Sequence, residues 1–248
     1  MARYQVILAY NGAGFTGSQI QANSRTVQGE LERALRNLGW SGKSVIMAGR
    51  TDTGVHATGQ VAAFDFDWTH SANKLLNALN ADLPPDLAIK SLRLAEAHFH
   101  PRFDAVSRRY RYRLICEPIR DPLLEKFVWR VWPAVDGDAL KRNASIFLGK
   151  HDFAAIGSPT TPNGTTVRMV TKAEWKRMPD GEWQFEVQAD AFLYRMVRRL
   201  VFVQVSVAQG RCSVEKVQHA LSKQGKLLAG LAPAHGLTLV DVTYGSHD

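Results

Sequence analysis

The spacing of hydrophobic and polar positions in the first hundred residues predicts strands and helices in turn. Alternation predicts a strand over 3–10, and a helical period follows over about 27–38. Thr26 is placed to cap the start of that helix, and Gly39 is placed to end it. The apolar stripe of the helix consists of Val27, Leu31, Ala34, Leu35 and Leu38. The other elements predicted in this half are strands at 44–48 and 60–66, a helix at 71–80 and a strand at 87–94.

The second half of the chain has the same order of elements. Its predicted elements are a strand at 107–116, a helix at 137–148, strands at 168–177 and 182–190, helices at 191–209 and 213–222, and a strand at 237–243. A β-α-β-β-α-β order that occurs twice predicts an α+β fold of two ferredoxin-like (RNP-like) halves. We expect their antiparallel sheets to flank a central active-site cleft. The expected domains are 1–104, which carries an Asp loop, and 105–248, which carries a Tyr strand and an Arg helix.

The charge of the chain favours a polyanionic partner. Lys plus Arg total 31 against 23 for Asp plus Glu, a formal net charge of +8. Basic side chains that neutralise phosphates release condensed counterions, so nucleic acid is the partner that this excess favours. The alternative is that the charge serves solubility alone.

Cysteine spacing and hydropathy narrow the class of protein further. Cys116 and Cys212 form no C-x-x-C pattern, so neither a disulfide framework nor a cysteine-rich zinc site is expected. The N-terminus does not resemble a signal peptide, and no apolar run approaches the roughly 18 residues of a membrane span. We therefore expect a cytoplasmic protein without membrane association.

A glycine-rich stretch near the N-terminus, NGAGFTG (11–17), has the G-x-G-x-x-G spacing of a dinucleotide-binding turn. In that fold the third glycine lies inside the helix that receives the pyrophosphate, and an acidic residue ends the next strand. Here the helix is predicted to begin only at about Val27, and the next acidic residues, Glu30 and Glu32, lie on it. We expect these glycines to shape a loop instead.

A second glycine-rich segment, AGRTDTGVHATGQ (48–60), is predicted as a loop between two strands and carries Arg50, Asp52 and His56. Asp52 has two simple interpretations. It is a turn residue bonded to nearby backbone, or the DTG triplet is that of an aspartic protease. Protease chemistry needs two carboxylates that share a proton, and the sequence has only one such triplet.

The same segment carries a family resemblance. GRTDTGVHATGQV (49–61) closely resembles the G-R-T-D-x-G-V-H-A active-site segment of the tRNA pseudouridine synthase A family. Further similar segments follow in order along nearly the whole chain: YNGAGFTGSQ (10–19), HPRFDAVSRRYRY (100–112), HDF (151–153), AFLYRMVR (191–198) and APAHGLTLVDVTY (232–244).

This resemblance implies an isomerase that converts uridine to pseudouridine at positions 38, 39 and 40 of the tRNA anticodon stem-loop, without a cofactor or metal. It implies Asp52 as the nucleophile, with Arg198 as its counter-charge. Tyr110 would pack against the target uracil, with its hydroxyl available for proton removal at C5. Arg50 would steer the flipped base or fill the space that it leaves. Members of the family act as homodimers on tRNA, and we expect the same here.

The predicted strand SRRYRYRL (107–114) alternates strictly between two faces. Tyr110 lies on one face and Arg109 and Arg111 lie on the other, so the strand offers a base-stacking ring and two cations for phosphates. An amphipathic edge strand would have the same pattern. On the predicted helix 191–209, Arg195, Arg198 and Arg199 would share one face.

Several positions depart from the pattern of the resembled family. Asn11 stands where Asp is common, Ser18 where Trp is usual, and Arg195 where His is frequent. Pro101 and Asp104 replace Ala and Ser.

Two alternatives stay open beside the synthase interpretation. A non-catalytic RNA-binding protein or RNA chaperone could use the same scaffold. His98 and His100 suggest a zinc site, but further ligands at suitable spacing are missing from the sequence, which favours core or RNA-contacting histidines.

Overall fold

The computed structural model describes residues 1–223 and 225–245, apart from the side chain of residue 223. It divides the chain into two compact units. Unit 1 comprises Met1–Val106 and the segment that begins at Thr238, and unit 2 comprises Ser107–Leu237. Within the described residues, no helix combines the length and the apolarity needed to cross a membrane.

Unit 1 consists of a mostly antiparallel set of strands and two helices. Its elements are β1 (Ala2–Tyr10), α1 (Val27–Asn37), β2 (Ile46–Met47), β3 (His56–Phe66), α2 (Ala72–Asp82), β4 (Leu87–Leu94) and the last strand, β10 (Leu237–Tyr244). β1 lies between β3 and β4 and is antiparallel to both, while β2 pairs with the far part of β3. The core under these strands contains fully buried leucines from β1 and both helices: Leu8, Leu31, Leu35, Leu75 and Leu79.

Unit 2 has a second antiparallel set of strands. Its elements are β5 (Ala105–Ile115), β6 (Trp129–Arg130), α3 (Gly137–Ser145), β7 (Gly149–Asp152), β8 (Val167–Arg177), β9 (Trp183–Ala189), α4 (Met196–Ala208) and α5 (Val214–Lys223). β9 pairs with both β5 and β8, and β8 pairs with β7. The rings of Trp175 and Phe185 stack with their centroids 5.1 Å apart, and both side chains are buried in the core. The indole N–H of Trp175 donates to Gln204 of α4, which ties that helix to the strands.

The predicted α+β class is confirmed, and most predicted elements are present within two or three residues. Thr26 caps α1 through a bond from the Gly29 N–H, as the sequence indicates, and Gly39 has the positive φ of a helix stop. The short strands β6 and β7 were not predicted. The ferredoxin-like arrangement of each half and the central cleft stay predictions.

Two predicted boundaries are wrong. β3 begins at His56 rather than at 60, because its backbone already pairs with β10 there. α4 begins at Met196 rather than at 191, because Arg195 has a left-handed backbone (φ 59) that cannot continue a helix in the N-terminal direction.

The last strand joins the unit of the first strands. Thr238 and Leu239 of β10 pair in parallel with His56 and Ala57 of β3. The sequence predicts that all of 105–248 belongs to the second domain. In the structure, the segment from Thr238 packs with unit 1 instead. The pairing is formed by residues about 180 positions apart along the chain, and local periodicity does not show it.

A buried carboxylate joins α1 to the segment that leads into β2. Glu32 accepts bonds from the Val45 N–H (3.0 Å), the Gln28 amide (2.8 Å) and the Arg36 guanidinium (2.8 Å). Burial opposes ionisation of Glu32, but these donors outweigh it and lower the pKa of the carboxyl group. Glu32 therefore fixes the start of the β2 segment by its charge.

Replacing Glu32 by Ala leaves the buried Val45 N–H without its acceptor, so we expect the free energy of unfolding to fall by about 2–4 kcal/mol. Urea denaturation measures this change. The control is Glu96→Ala, because Glu96 is exposed, and we expect a change within about 0.5 kcal/mol. A Glu32→Ala variant as stable as the control would contradict the role of the carboxylate.

Candidate active site

The segment between β2 and β3 carries Asp52 in a tight backbone turn. The Val55 N–H donates to the Asp52 carbonyl at 3.1 Å, and Gly54 has the positive φ (80°) that such a turn requires. Asp52 is half-buried and Arg50 is exposed. The loop is shorter than predicted, since His56 already belongs to β3.

Residues on both sides of Asp52 are held by hydrogen bonds from outside the loop. Just before Asp52, the buried Thr51 hydroxyl lies 2.9 Å from the hydroxyl of Tyr10, and the Thr51 N–H donates to Ser18 Oγ at 2.8 Å. At the loop start, Gln60 Nε2 donates to the Gly49 carbonyl at 2.8 Å. Burial raises the pKa of Tyr10 to about 12, so its hydroxyl keeps its proton at neutral pH. Asp52 is thus attached to a fixed backbone.

Gly12 and Gly17 of NGAGFTG pack against this loop. A Cβ on Gly12 would lie 2.1 Å from the Val55 carbonyl oxygen, and the Gly12 N–H donates to His56 Nδ1 at 3.0 Å. Gly17 has φ 84°, and a Cβ there would lie 3.0 Å from the Thr51 carbonyl oxygen. The next helix begins only at Val27, as predicted. The glycine spacing therefore allows close backbone approach to the Asp52 loop.

Tyr110 lies on β5 in unit 2, half-buried, with the ring of Phe192 packed edge-on at 5.0 Å. Tyr112, two residues on and on the same face of the strand, is fully buried and donates its hydroxyl to the Pro233 carbonyl at 2.8 Å. β5 thus carries one aromatic ring that is partly accessible, that of Tyr110, and one that is fully buried, that of Tyr112.

Arg198 lies in the first turn of α4 and is tied to the segment before β10. Its Nε donates to the Ala232 carbonyl at 2.8 Å, and the Ala232 N–H donates back to the Arg198 carbonyl at 3.2 Å. Burial raises the pKa of Tyr112 well above its usual value, and the Arg198 charge acts in the opposite direction. Arg198 is therefore a positive charge close to the buried tyrosine of β5.

Arg195 does not share the helical face of Arg198 and Arg199. It precedes α4 in the left-handed conformation, and its guanidinium lies 4.7 Å from the ring centre of the exposed Tyr194. Arg199 is on the helix and donates to the Gly230 carbonyl. The predicted three-arginine face is wrong, because the backbone at residue 195 turns away from the helical path.

The two arginines expected to bind substrate phosphates lie close to an intramolecular carboxylate. Arg111 donates to Glu186 of β9 at 2.9 Å, and Arg109 lies 3.9 Å from the same carboxylate. Lys172 of β8 binds it from the other side at 2.7 Å. Burial opposes ionisation of Glu186, but the bonds from Lys172 and Arg111 prevail and lower its pKa to about 2. Glu186 therefore balances part of the positive charge on this face within unit 2.

The predicted site residues are divided between the two units. Asp52 and Arg50 belong to unit 1, whereas Tyr110 and Arg198 belong to unit 2. The expected ion pair of Asp52 with Arg198 stays a prediction. Within each unit, the structure adds residues that the sequence analysis did not select as site residues: Tyr10, Ser18, Thr51, Gln60, Tyr112 and Phe192.

A local signal existed for some of these residues. Tyr10 ends β1 directly before the glycine-rich stretch, and Thr51 directly precedes Asp52. In the sequence, Ser18 stands out only as a departure from the resembled pattern. Its contact with Thr51 joins positions 33 residues apart, which periodicity cannot detect.

The two histidines that suggested zinc have other partners. His98 Nε2 lies 3.0 Å from a Glu96 carboxylate oxygen, and His100 Nδ1 accepts the Arg102 and Phe103 N–H groups. Across residues 1–223 and 225–245, no group of three or more His, Cys, Asp or Glu side chains is placed to hold a metal ion.

Comparison with known proteins assigns the chain to one family. A family model described as tRNA pseudouridine synthase matches residues 6–104 and 144–245. A protein of Chloroflexus aurantiacus named tRNA pseudouridine synthase A is 41% identical, over 98% of this chain and 89% of its own length. Proteins of the same name from Limosilactobacillus fermentum and a Geobacillus species are each 38% identical. The alignments cover 99% and 98% of this chain and 97% and 98% of those proteins.

The Glu186 cluster gives a pH-dependent prediction. A carboxyl pKa lowered from 4.5 to about 2 adds stability that is fully present above pH 4.5 and is lost as the pH falls towards 2. We expect Glu186→Gln to lower the free energy of unfolding by about 1 kcal/mol at pH 7, a value reduced for solvent screening. That difference from the wild-type protein should shrink as the pH falls through about 2 and vanish below it. Thermal unfolding across pH measures it, with the exposed Glu117→Gln as control. A difference that does not depend on pH would contradict the assignment.

Proposed function

The chain belongs to the tRNA pseudouridine synthase A family, whose members are isomerases, and we propose that it converts uridine to pseudouridine at positions 38, 39 and 40 of the anticodon stem-loop of tRNA. The observation that supports the catalytic part of this proposal most directly is the braced loop that presents Asp52. The net charge of +8 fits a tRNA substrate.

The reaction rearranges bonds within one nucleotide. The bond from ribose C1′ to uracil N1 breaks, the base turns, and C1′ joins C5, from which a proton leaves while N1 gains one. The atoms and electrons balance without an oxidant or a group donor. The protein must therefore supply a nucleophile, a way to hold the detached base, and a path for one proton.

We assign the nucleophile role to Asp52. Its backbone is held next to Thr51, and Val55 closes the turn by bonding to its carbonyl. A nucleophile held in one geometry needs no reorganisation when the substrate arrives, which is the main physical benefit of a preorganised site. Its half-buried position leaves the carboxylate within reach of a bound nucleotide.

We assign Tyr110 to hold the uracil base and Arg198 to balance the charge of the nucleophile. The half-buried ring of Tyr110, supported by Phe192, can pack against the uracil, and its hydroxyl can take part in proton removal at C5. Arg198 is held by Ala232 and serves as the counter-charge for Asp52 when the nucleotide is bound. Arg109 and Arg111 are proposed as secondary phosphate contacts, because Glu186 balances part of their charge.

A uridine stacked in a stem cannot reach Asp52, so the enzyme has to flip the nucleotide out of the helix at a cost of a few kcal/mol. Arg50 is exposed and lies two residues before Asp52. We propose that its side chain fills the space that the flipped base leaves. A homodimer that holds one tRNA jointly remains part of the proposal, by family resemblance.

Pseudouridine mapping tests the site of modification. Unmodified tRNA transcripts that carry uridine at only one of positions 38, 39 and 40 are incubated with the protein, and the product is mapped by chemical labelling and primer extension. We expect product at each of the three positions. Product confined to other positions would contradict the anticodon assignment, and binding without product would favour a non-catalytic RNA-binding protein.

Replacing Asp52 by Asn should lower the single-turnover rate by at least about 10⁴-fold, because the amide is a far weaker nucleophile than the carboxylate. The tRNA dissociation constant should stay within about threefold, since phosphate contacts dominate affinity. Filter binding and single-turnover assays measure the two quantities. Asp67→Asn, on an exposed side chain outside the loop, is the matched control. An equal loss of rate and affinity would point to a structural role for Asp52.

Replacing Arg198 by Lys keeps the positive charge but loses the planar group that binds Ala232, so we expect a rate lower by about 10–100-fold. Arg177→Lys, on an exposed arginine at the end of β8, is the control and should keep its rate. An Arg198→Ala enzyme with nearly normal rate would exclude Arg198 from catalysis.

A further inference from the structure

Ser18 is fully buried and makes two hydrogen bonds to the residue before Asp52. Its Oγ accepts the Thr51 N–H at 2.8 Å, and its own N–H donates to the Thr51 carbonyl at 3.1 Å. Its carbonyl accepts the N–H of Gln28 in the first turn of α1 at 2.9 Å. Ser18 therefore connects the start of a packed helix to the backbone that presents Asp52.

The side-chain bond is the vulnerable part of this connection. Thr51 is itself buried, so its N–H depends on the hydroxyl of Ser18 rather than on bulk water. The Tyr10 hydroxyl contacts the side chain of Thr51. Ser18 instead holds the peptide group between residues 50 and 51, by accepting the Thr51 N–H. Without the Ser18 hydroxyl, that peptide loses this hydrogen bond, and a rotation of the peptide would displace the backbone that leads into Asp52.

The identity of the side chain matters at this position. The resembled family pattern usually has Trp at this position, where this chain has Ser18. An indole has one N–H donor and no acceptor oxygen, so a Trp cannot accept the Thr51 N–H. The brace through Oγ is consequently a property of chains that have a hydroxyl here.

We propose that Ser18 is a positioning residue that sets the orientation of the Asp52 nucleophile through its side-chain bond to the Thr51 N–H. This inference rests on the proposed function of Asp52. Ser18 lies beneath the loop, acts through Thr51, and takes no part in bond making.

The test compares three variants of the full-length chain. Ser18→Ala removes the acceptor and leaves the backbone bond to the Thr51 carbonyl. Ser18→Thr keeps the hydroxyl. Ser71→Ala removes a serine that also accepts a backbone N–H in unit 1, that of Lys74 at the start of α2, and serves as the matched control.

We expect the loss of the Ser18 hydroxyl to lower the rate of chemistry but not the affinity for tRNA. For Ser18→Ala we expect the single-turnover rate to fall about 10-fold, because a small displacement of a reacting group costs one to two orders of magnitude. The tRNA dissociation constant should stay within about twofold, since no phosphate contact is lost. Ser18→Thr should recover most of the rate, and Ser71→Ala should leave it unchanged.

Hydrogen exchange supplies a readout that does not depend on activity. Peptides that cover residues 48–55 should exchange about 10-fold faster in Ser18→Ala, while peptides from α2 should not change. In Ser71→Ala the opposite pattern is expected. This comparison separates a local release of the Asp52 loop from a general loss of stability.

Three results would overturn the inference: a Ser18→Ala enzyme with an unchanged rate, equal rate losses in Ser18→Ala and Ser71→Ala, or a Ser18→Thr enzyme that restores protection of 48–55 but stays slow. Each leaves the proposed function intact, because the wild-type protein still makes pseudouridine. A wild-type protein that makes none would instead refute the proposed function, and this inference with it.

Discussion

The hydrogen bonds at Thr51 are the constraint on which the proposed site depends. Asp52 belongs to a loop outside the helices and strands, so its backbone depends on the turn bond from the Val55 N–H and on what binds its neighbours. Tyr10 binds the Thr51 side chain, and Ser18 binds its backbone on both sides. Gly12 and Gly17 let the two loops approach more closely than any residue with a Cβ would. These contacts make the glycine-rich segment a rigid support for the Asp52 carboxylate.

A comparable arrangement holds the proposed residues of the second unit. Arg198 and Tyr112 both bind carbonyls of the segment just before β10, at Ala232 and Pro233. One short segment therefore fixes the guanidinium on α4 and the buried tyrosine next to Tyr110 on β5. In both units, the residues proposed for chemistry are held by neighbours that do not react, which is how a site keeps its geometry without substrate.

The positive charge of the chain is less available than its composition suggests. Arg111 and Lys172 are bound to Glu186, whose pKa of about 2 keeps it charged at any ordinary pH. The net charge of +8 gives a long-range attraction for RNA that does not depend on any one arginine. Arg50, beside Asp52, and Arg195, which lies against the ring of the exposed Tyr194, are among the exposed arginines.

Sequence alone determined the α+β class, nearly all of the helices and strands, and the family, because these depend on short-range periodicity and on motifs whose residues lie close together. It also selected Asp52 for chemistry, from a motif that is continuous in the chain. Only the tertiary structure decided that Ser18 braces Thr51, that Glu186 binds Arg111, and that β10 joins the first unit. These contacts join positions between 33 and about 180 residues apart, and such pairings leave no periodic signal in the sequence. They arise when the chain packs, because buried hydrogen-bonding groups must find partners wherever the fold brings them.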